Sequence, residues 1–96
     1  MRRRWQPGVL DEVADAILYL EGERPGLGTA FRASLERTLA FLEEFPLAAP
    51  VVHRNARRAL VHGFRLVVIY EPRGDELLII AVLHAARDPE TWKGRV

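Results

Sequence analysis

Apolar residues recur at helical spacing in the first half of the chain and in nearly continuous runs in the second. From Val9, the residues Leu10, Val13, Ala14, Ile17 and Leu20 fall on one face of a 3.6-residue repeat. Asp11, Glu12 and Asp15 lie in its first turns, where negative charge suits the positive end of a helix dipole. Gly22 and Pro25-Gly26 break this helix. A second stripe follows at Leu27, Phe31, Leu35, Leu39 and Leu42, with Ala30 and Thr38 beside it. Its outer face carries Arg32, Glu36, Arg37, Glu43 and Glu44, and Arg32 is spaced for an i,i+4 ion pair with Glu36. Pro46 and Pro50 end the pattern. Two amphipathic helices joined by a short Gly/Pro link predict a helical hairpin.

After Pro50 the period changes. Ala59-Leu60-Val61, Phe64 to Tyr70 and Glu76 to Leu83 are rich in Val, Ile and Leu, as strands are. His62-Gly63 and Pro72-Arg73-Gly74-Asp75 sit where tight turns would fall, and strands joined so closely are antiparallel. Arg2 to Gln6 adds a short edge strand, stopped by Pro7-Gly8. The expectation is one α+β domain spanning residues 1–96, in the order β-α-α-β-β-β with a short tail. Its helical hairpin packs on one face of a small, mainly antiparallel sheet. The run Leu77 to Leu83 does not alternate, so both faces of that strand want cover. The helices supply one cover; the C-terminal segment, a second copy or a partner protein supplies the other.

Composition narrows the chemistry. The chain has no cysteine, which removes disulfides, thiolate metal sites and cysteine nucleophiles. Met1-Arg2-Arg3-Arg4-Trp5 is not followed by an apolar core, so it does not read as a signal peptide, and no apolar stretch reaches spanning length. A cytoplasmic protein is the expectation. The net charge of +1 hides an asymmetry: residues 1–50 carry six Arg and eight acids, whereas residues 51–96 carry seven Arg and one Lys against five acids. Between Val51 and Tyr70, Arg54, Arg57, Arg58 and Arg65 meet no acid. Such a basic face suits an acidic partner, protein or nucleic acid; the plainer reading is a solvated strand face.

An ordered set of features resembles the RelE/ParE toxin superfamily. The set comprises Pro7 before a helix with Asp11 and Asp15, Phe31-x-x-x-Leu35, and Leu42-x-x-x-Pro46. It continues with Gly63-Phe64-Arg65 leading a strand that ends at Tyr70, then His84-x-x-Arg87-Asp88-Pro89-x-x-Trp92-x-x-Arg95. The resemblance covers nearly the whole chain and leans toward the ParE-type toxins of type II toxin–antitoxin (plasmid-stabilisation) modules. It implies a cognate antitoxin whose C-terminal segment wraps the toxin. The ParE branch is associated with poisoning DNA gyrase, and the RelE branch with cleaving messenger RNA on the ribosome.

The residues help choose between the branches. Cutting RNA through its 2′-hydroxyl needs a proton acceptor, a proton donor and cations for the phosphate. Arg58, Arg65 and Arg87 match positions where RelE-like enzymes carry basic catalytic residues, but arginine stays protonated and is a poor base. Where RelE-like members place a tyrosine or histidine near the C-terminus, this chain has Trp92. His84 or Tyr70 would have to substitute. The expectation is therefore an inhibitor without catalytic residues, in which Arg57, Arg58, Arg65, Arg87, Trp92 and Arg95 meet the target or antitoxin. The alternatives are a ribosome-dependent endoribonuclease using Arg58, Arg65, His84 and Arg87, with direct nucleic-acid binding only in that case, or a non-toxic homologue that only binds antitoxin. On this reading the antitoxin covers the apolar surface at Leu77 to Leu83. Plainer roles stand beside these: Arg87 and Asp88 pair to pin the tail, Trp92 closes the core, and Trp5 packs rather than stacking on nucleic acid. His53, His62 and His84 lack metal-ligand spacing. No cofactor or metal is implied.

Overall fold

The computed structural model describes all 96 residues. Strand β1 (Arg2–Trp5) leads into helices α1 (Val9–Glu23) and α2 (Leu27–Glu44). Strands β2 (Val51–His53), β3 (Ala56–Leu60), β4 (Leu66–Arg73) and β5 (Glu76–His84) follow, then a short helix α3 (Glu90–Lys93). The five strands form one sheet in the order β1-β5-β4-β3-β2. β1 runs parallel to β5 and every other pair is antiparallel. The α+β architecture matches the sequence expectation, with one strand more than β-α-α-β-β-β allowed. No helix is long and apolar enough to cross a membrane.

The helical hairpin is held by local chemistry at its elbow. Gly26 and Gly28 donate their backbone N–H groups to the Glu21 carboxylate at 2.8 and 3.0 Å, so an acid on α1 satisfies orphan donors at the start of α2. Gly28 also lets the helices approach: a Cβ there would lie 2.6 Å from the Ile17 carbonyl oxygen. Phe31, Leu35, Leu39 and Leu42 of α2 are buried against Val61, Val68, Tyr70, Leu77 and Ile79. The α1 stripe is rotated by about one residue from the expected one. Val9 is fully buried, while Leu10 and Ala14 face outward. Glu36 does not pair with Arg32; its carboxylate receives the Arg3 guanidinium from β1 at 2.6 and 2.7 Å. Glu43 takes the same guanidinium. The first strand is thereby tied to α2, and Trp5 packs against the same core.

The strand boundaries differ from those expected, for reasons the ladder makes plain. β2 and β3 are joined by Arg54-Asn55, with Arg54 in the left-handed region at φ 53°. β4 runs on through Pro72, which pairs with Leu77 on β5. β3 ends its pairing at Arg57–Tyr70, so the side of β4 that lacks the Pro72 N–H has no neighbour to miss it.

The unbroken apolar run of β5 has two causes. Its register slips between Ile69 and Tyr70 of β4, so Ile80 and Ala81 together oppose Ile69 and both join the core on the face away from the helices. That second face is covered by the chain itself: Trp92 is buried over Ala56, Val67, Ile69, Leu78 and Ile80, with Val96 packed beside it. The expectation that an antitoxin covers Leu77 to Leu83 is thus corrected, because both faces of β5 are already occupied.

Candidate functional site

Adjacent residues of a strand point to opposite faces, and this sorts the arginines. On β3, Arg57 lies opposite Tyr70 on the helical face and Arg58 opposite Ile69 on the other. The Arg57 guanidinium turns inward and donates to the carbonyls of Leu47 and Ala49 at 3.2 and 2.7 Å. Arg95 is likewise engaged: it forms a two-pronged contact with Glu12 at 3.0 and 2.8 Å and donates to the Ile80 carbonyl at 3.0 Å. The Glu12 carboxylate holds the Arg95 guanidinium above its ordinary pKa. Two of the six expected contact residues therefore serve the fold with their charged ends.

Arg58, Arg65 and Arg87 are exposed and enter no ion pair or side-chain hydrogen bond within the chain. Arg58 and Arg87 converge on a cleft of about 190 Å³ on the tail side of the sheet, together with Lys93, Val67, Leu83 and Trp92. The expected Arg87–Asp88 pair is absent. Asp88 turns into its own chain, accepting the Glu90 N–H at 3.0 Å. Lys93, which the sequence reading did not single out, is partly balanced by Glu90 at 3.4 Å. The cleft thus presents guanidinium forks over an apolar floor, a combination that holds a carboxylate or phosphate.

The same cleft is poor in proton carriers. Its lining contains no histidine, tyrosine, aspartate or glutamate. His84 lies in a different groove, and its Nδ1 accepts the Ala86 N–H at 3.0 Å. Tyr70 faces the helices, where its hydroxyl donates to the Pro46 carbonyl at 2.8 Å. Burial raises the Tyr70 pKa. The imidazole beside the cleft is His53, whose ring stands edge-on to Trp92 with centroids 6.0 Å apart. It sits at the end of β2, the strand the sequence reading did not find. No three His, Asp or Glu side chains converge where a metal ion could be held.

Arg65 and Arg87 also line a second groove, of about 780 Å³, between α1 and the end of β5. Its walls carry Asp15 and Tyr19 from α1, Phe64 from the β3–β4 connection and Leu66 from the start of β4. Arg87 stands between the two depressions. The sequence-named arginines thus form one cationic edge running from Arg58 through Arg87 to Arg65.

Residues 3–89 match the family described as ParE toxin of type II toxin-antitoxin system, parDE. No curated protein matches the chain. Among solved structures, a chain of the "Chromosomal ParDE TA system from P. aeruginosa" superposes with a TM-score of 0.60 at 14% identity. The match covers 88% of this chain and 95% of that one, a likeness of fold.

Proposed function

The chain belongs to the ParE toxins of type II toxin–antitoxin systems, and from that membership we propose that it arrests growth by binding DNA gyrase and is held inactive by a cognate antitoxin. A cytoplasmic location follows from that target. The observation that carries the binding reading is the cationic edge: Arg58, Arg65 and Arg87 are unpaired, and the cleft that Arg58 and Arg87 border is lined by no histidine, tyrosine or carboxylate. Exposed arginines with no internal partner are suited to anchor an acidic protein surface, where docking would desolvate them. The basic second half of the chain would complement an acidic antitoxin segment in the same way.

One observation favours the endoribonuclease reading, the placement of His53 against Trp92 at the cleft that holds Arg58 and Arg87. Induction of the wild type, Arg58→Ala/Arg87→Ala and His53→Ala chains separates the two. The gyrase reading expects DNA breaks and loss of supercoiling with the wild type, about tenfold weaker arrest with the double variant, and full arrest with His53→Ala. Prompt mRNA cleavage with intact supercoiling, and loss of cleavage and arrest together on changing His53, would replace it with the nuclease. An inert wild type would leave only antitoxin binding.

A further inference from the structure

The groove between α1 and β5 contains a strand edge with no strand beside it. β1 pairs with β5 only as far as Trp5 opposite Ile79, and the last bond of that ladder runs from the Gln6 N–H to the Ile79 carbonyl at 3.0 Å. Beyond it, Val82 to His84 lines the groove. The pairing with β4 shows which backbone groups point there. Ala85 donates to the Arg65 carbonyl, so the hydrogen-bonded alternation assigns Val82 and His84 to the outer side.

Internal contacts already take part of this edge. Arg95 covers the Ile80 carbonyl at 3.0 Å, and Glu12 accepts the Val82 N–H at 3.3 Å. The Arg87 N–H occupies the His84 carbonyl at 3.0 Å. The Val82 carbonyl and the His84 N–H remain, an acceptor and a donor two residues apart. An antiparallel neighbour would need both groups of one residue, and each residue has one of its groups engaged. A parallel neighbour needs the set that is left: its N–H bonds to the Val82 carbonyl and its C=O accepts from His84.

We propose that the antitoxin docks an extended segment in this groove as a sixth strand, parallel to β5 and following on from β1 in the same sense. The inference rests on the antitoxin reading above and adds the place and the backbone geometry. Charge identifies the segment further. Arg65 and Arg87 are unpaired on one wall against a single unpaired acid, Asp15, on the other, so the segment carries an acid toward the sheet. Leu20, Phe64 and Leu66 receive an apolar side chain of alternate register.

The test uses the full chain and the purified antitoxin encoded beside it. His84→Pro deletes the outward N–H at a position where the β4 ladder does not use it, and His84→Ala removes the imidazole but keeps the N–H. The expected result is about tenfold weaker binding, the scale of one or two interface hydrogen bonds, for His84→Pro than for His84→Ala, which shares the loss of the imidazole but keeps the N–H. Amide hydrogen exchange of the unmodified chain should show His84 protected only in the complex. Binding with His84 unprotected overturns the inference and leaves the antitoxin reading standing, as does an unweakened, folded His84→Pro. Failure of the antitoxin to bind the wild type at all overturns both. Protection of His84 through self-association, without antitoxin, assigns the edge to a second copy and overturns this occupant.

Discussion

Arg57 and Arg58 are neighbours with opposite duties, and the division predicts opposite phenotypes. Arg57→Ala removes two hydrogen bonds to the loop carbonyls of Leu47 and Ala49. It should cost about 1–3 kcal/mol of stability in urea unfolding. Arg58→Ala removes an exposed group with no partner and should change stability by less than about 0.5 kcal/mol, while weakening growth arrest. Equal stability losses in the two variants would contradict the assignment of faces. The sequence pointed to both residues because their charge was visible and their strand was not: β3 was expected to begin at Ala59, immediately past them. Strand alternation sorts a pair of neighbours only once the strand is known to include them. Arg95 was obscure for another reason, since its partner Glu12 is 83 residues away.

At the scale of elements, the helices were the most legible part because their apolar spacing and their Gly/Pro breaks agree. β2 was missed because its turn hides the usual signal: Arg54 occupies the left-handed position that glycine or asparagine normally marks. The ties between elements were not legible, and two carry predictions. Gly28→Ala would push a methyl group into the Ile17 carbonyl of α1. Because backbone cannot yield as a side-chain tip does, the helices must separate, at a cost of about 1–3 kcal/mol in thermal or urea unfolding. The second tie is β1 to α2. The Arg3 guanidinium holds the Glu36 carboxyl below its ordinary pKa. A group depressed in the folded state stabilises the protein above its unfolded pKa and loses that contribution as pH falls through the folded one. The stability difference between wild type and Glu36→Gln should therefore be constant near neutrality and shrink in acid below about pH 4. Glu36 is largely exposed, so the plateau should be no more than about 1 kcal/mol.

For the molecule as a whole, the open question in the sequence was what covers the second face of β5, and the answer is its own last twelve residues. The unbroken apolar run announced two covered faces, but a tail, a second copy and a partner satisfy that pattern equally. Choosing among them requires knowing where the chain returns after His84. Trp92 makes the choice testable. It is 4% exposed over the tail-side core and also forms part of the cationic cleft beneath Arg58 and Arg87. If the tail is a structural layer, Trp92→Ala opens a cavity and should cost about 3–5 kcal/mol. That is a large share of the roughly 5–15 kcal/mol available to a small domain, enough to lower the melting temperature by more than about 10 °C. Trp92→Phe keeps most of the apolar volume, so it should retain the fold while loosening the cleft. Growth arrest weakened in Trp92→Phe at near-normal stability would assign the indole to the binding edge as well as to the core. A Trp92→Ala chain that melts like the wild type would show the tail to be a loose cover, and the second face of β5 would again be open to a partner.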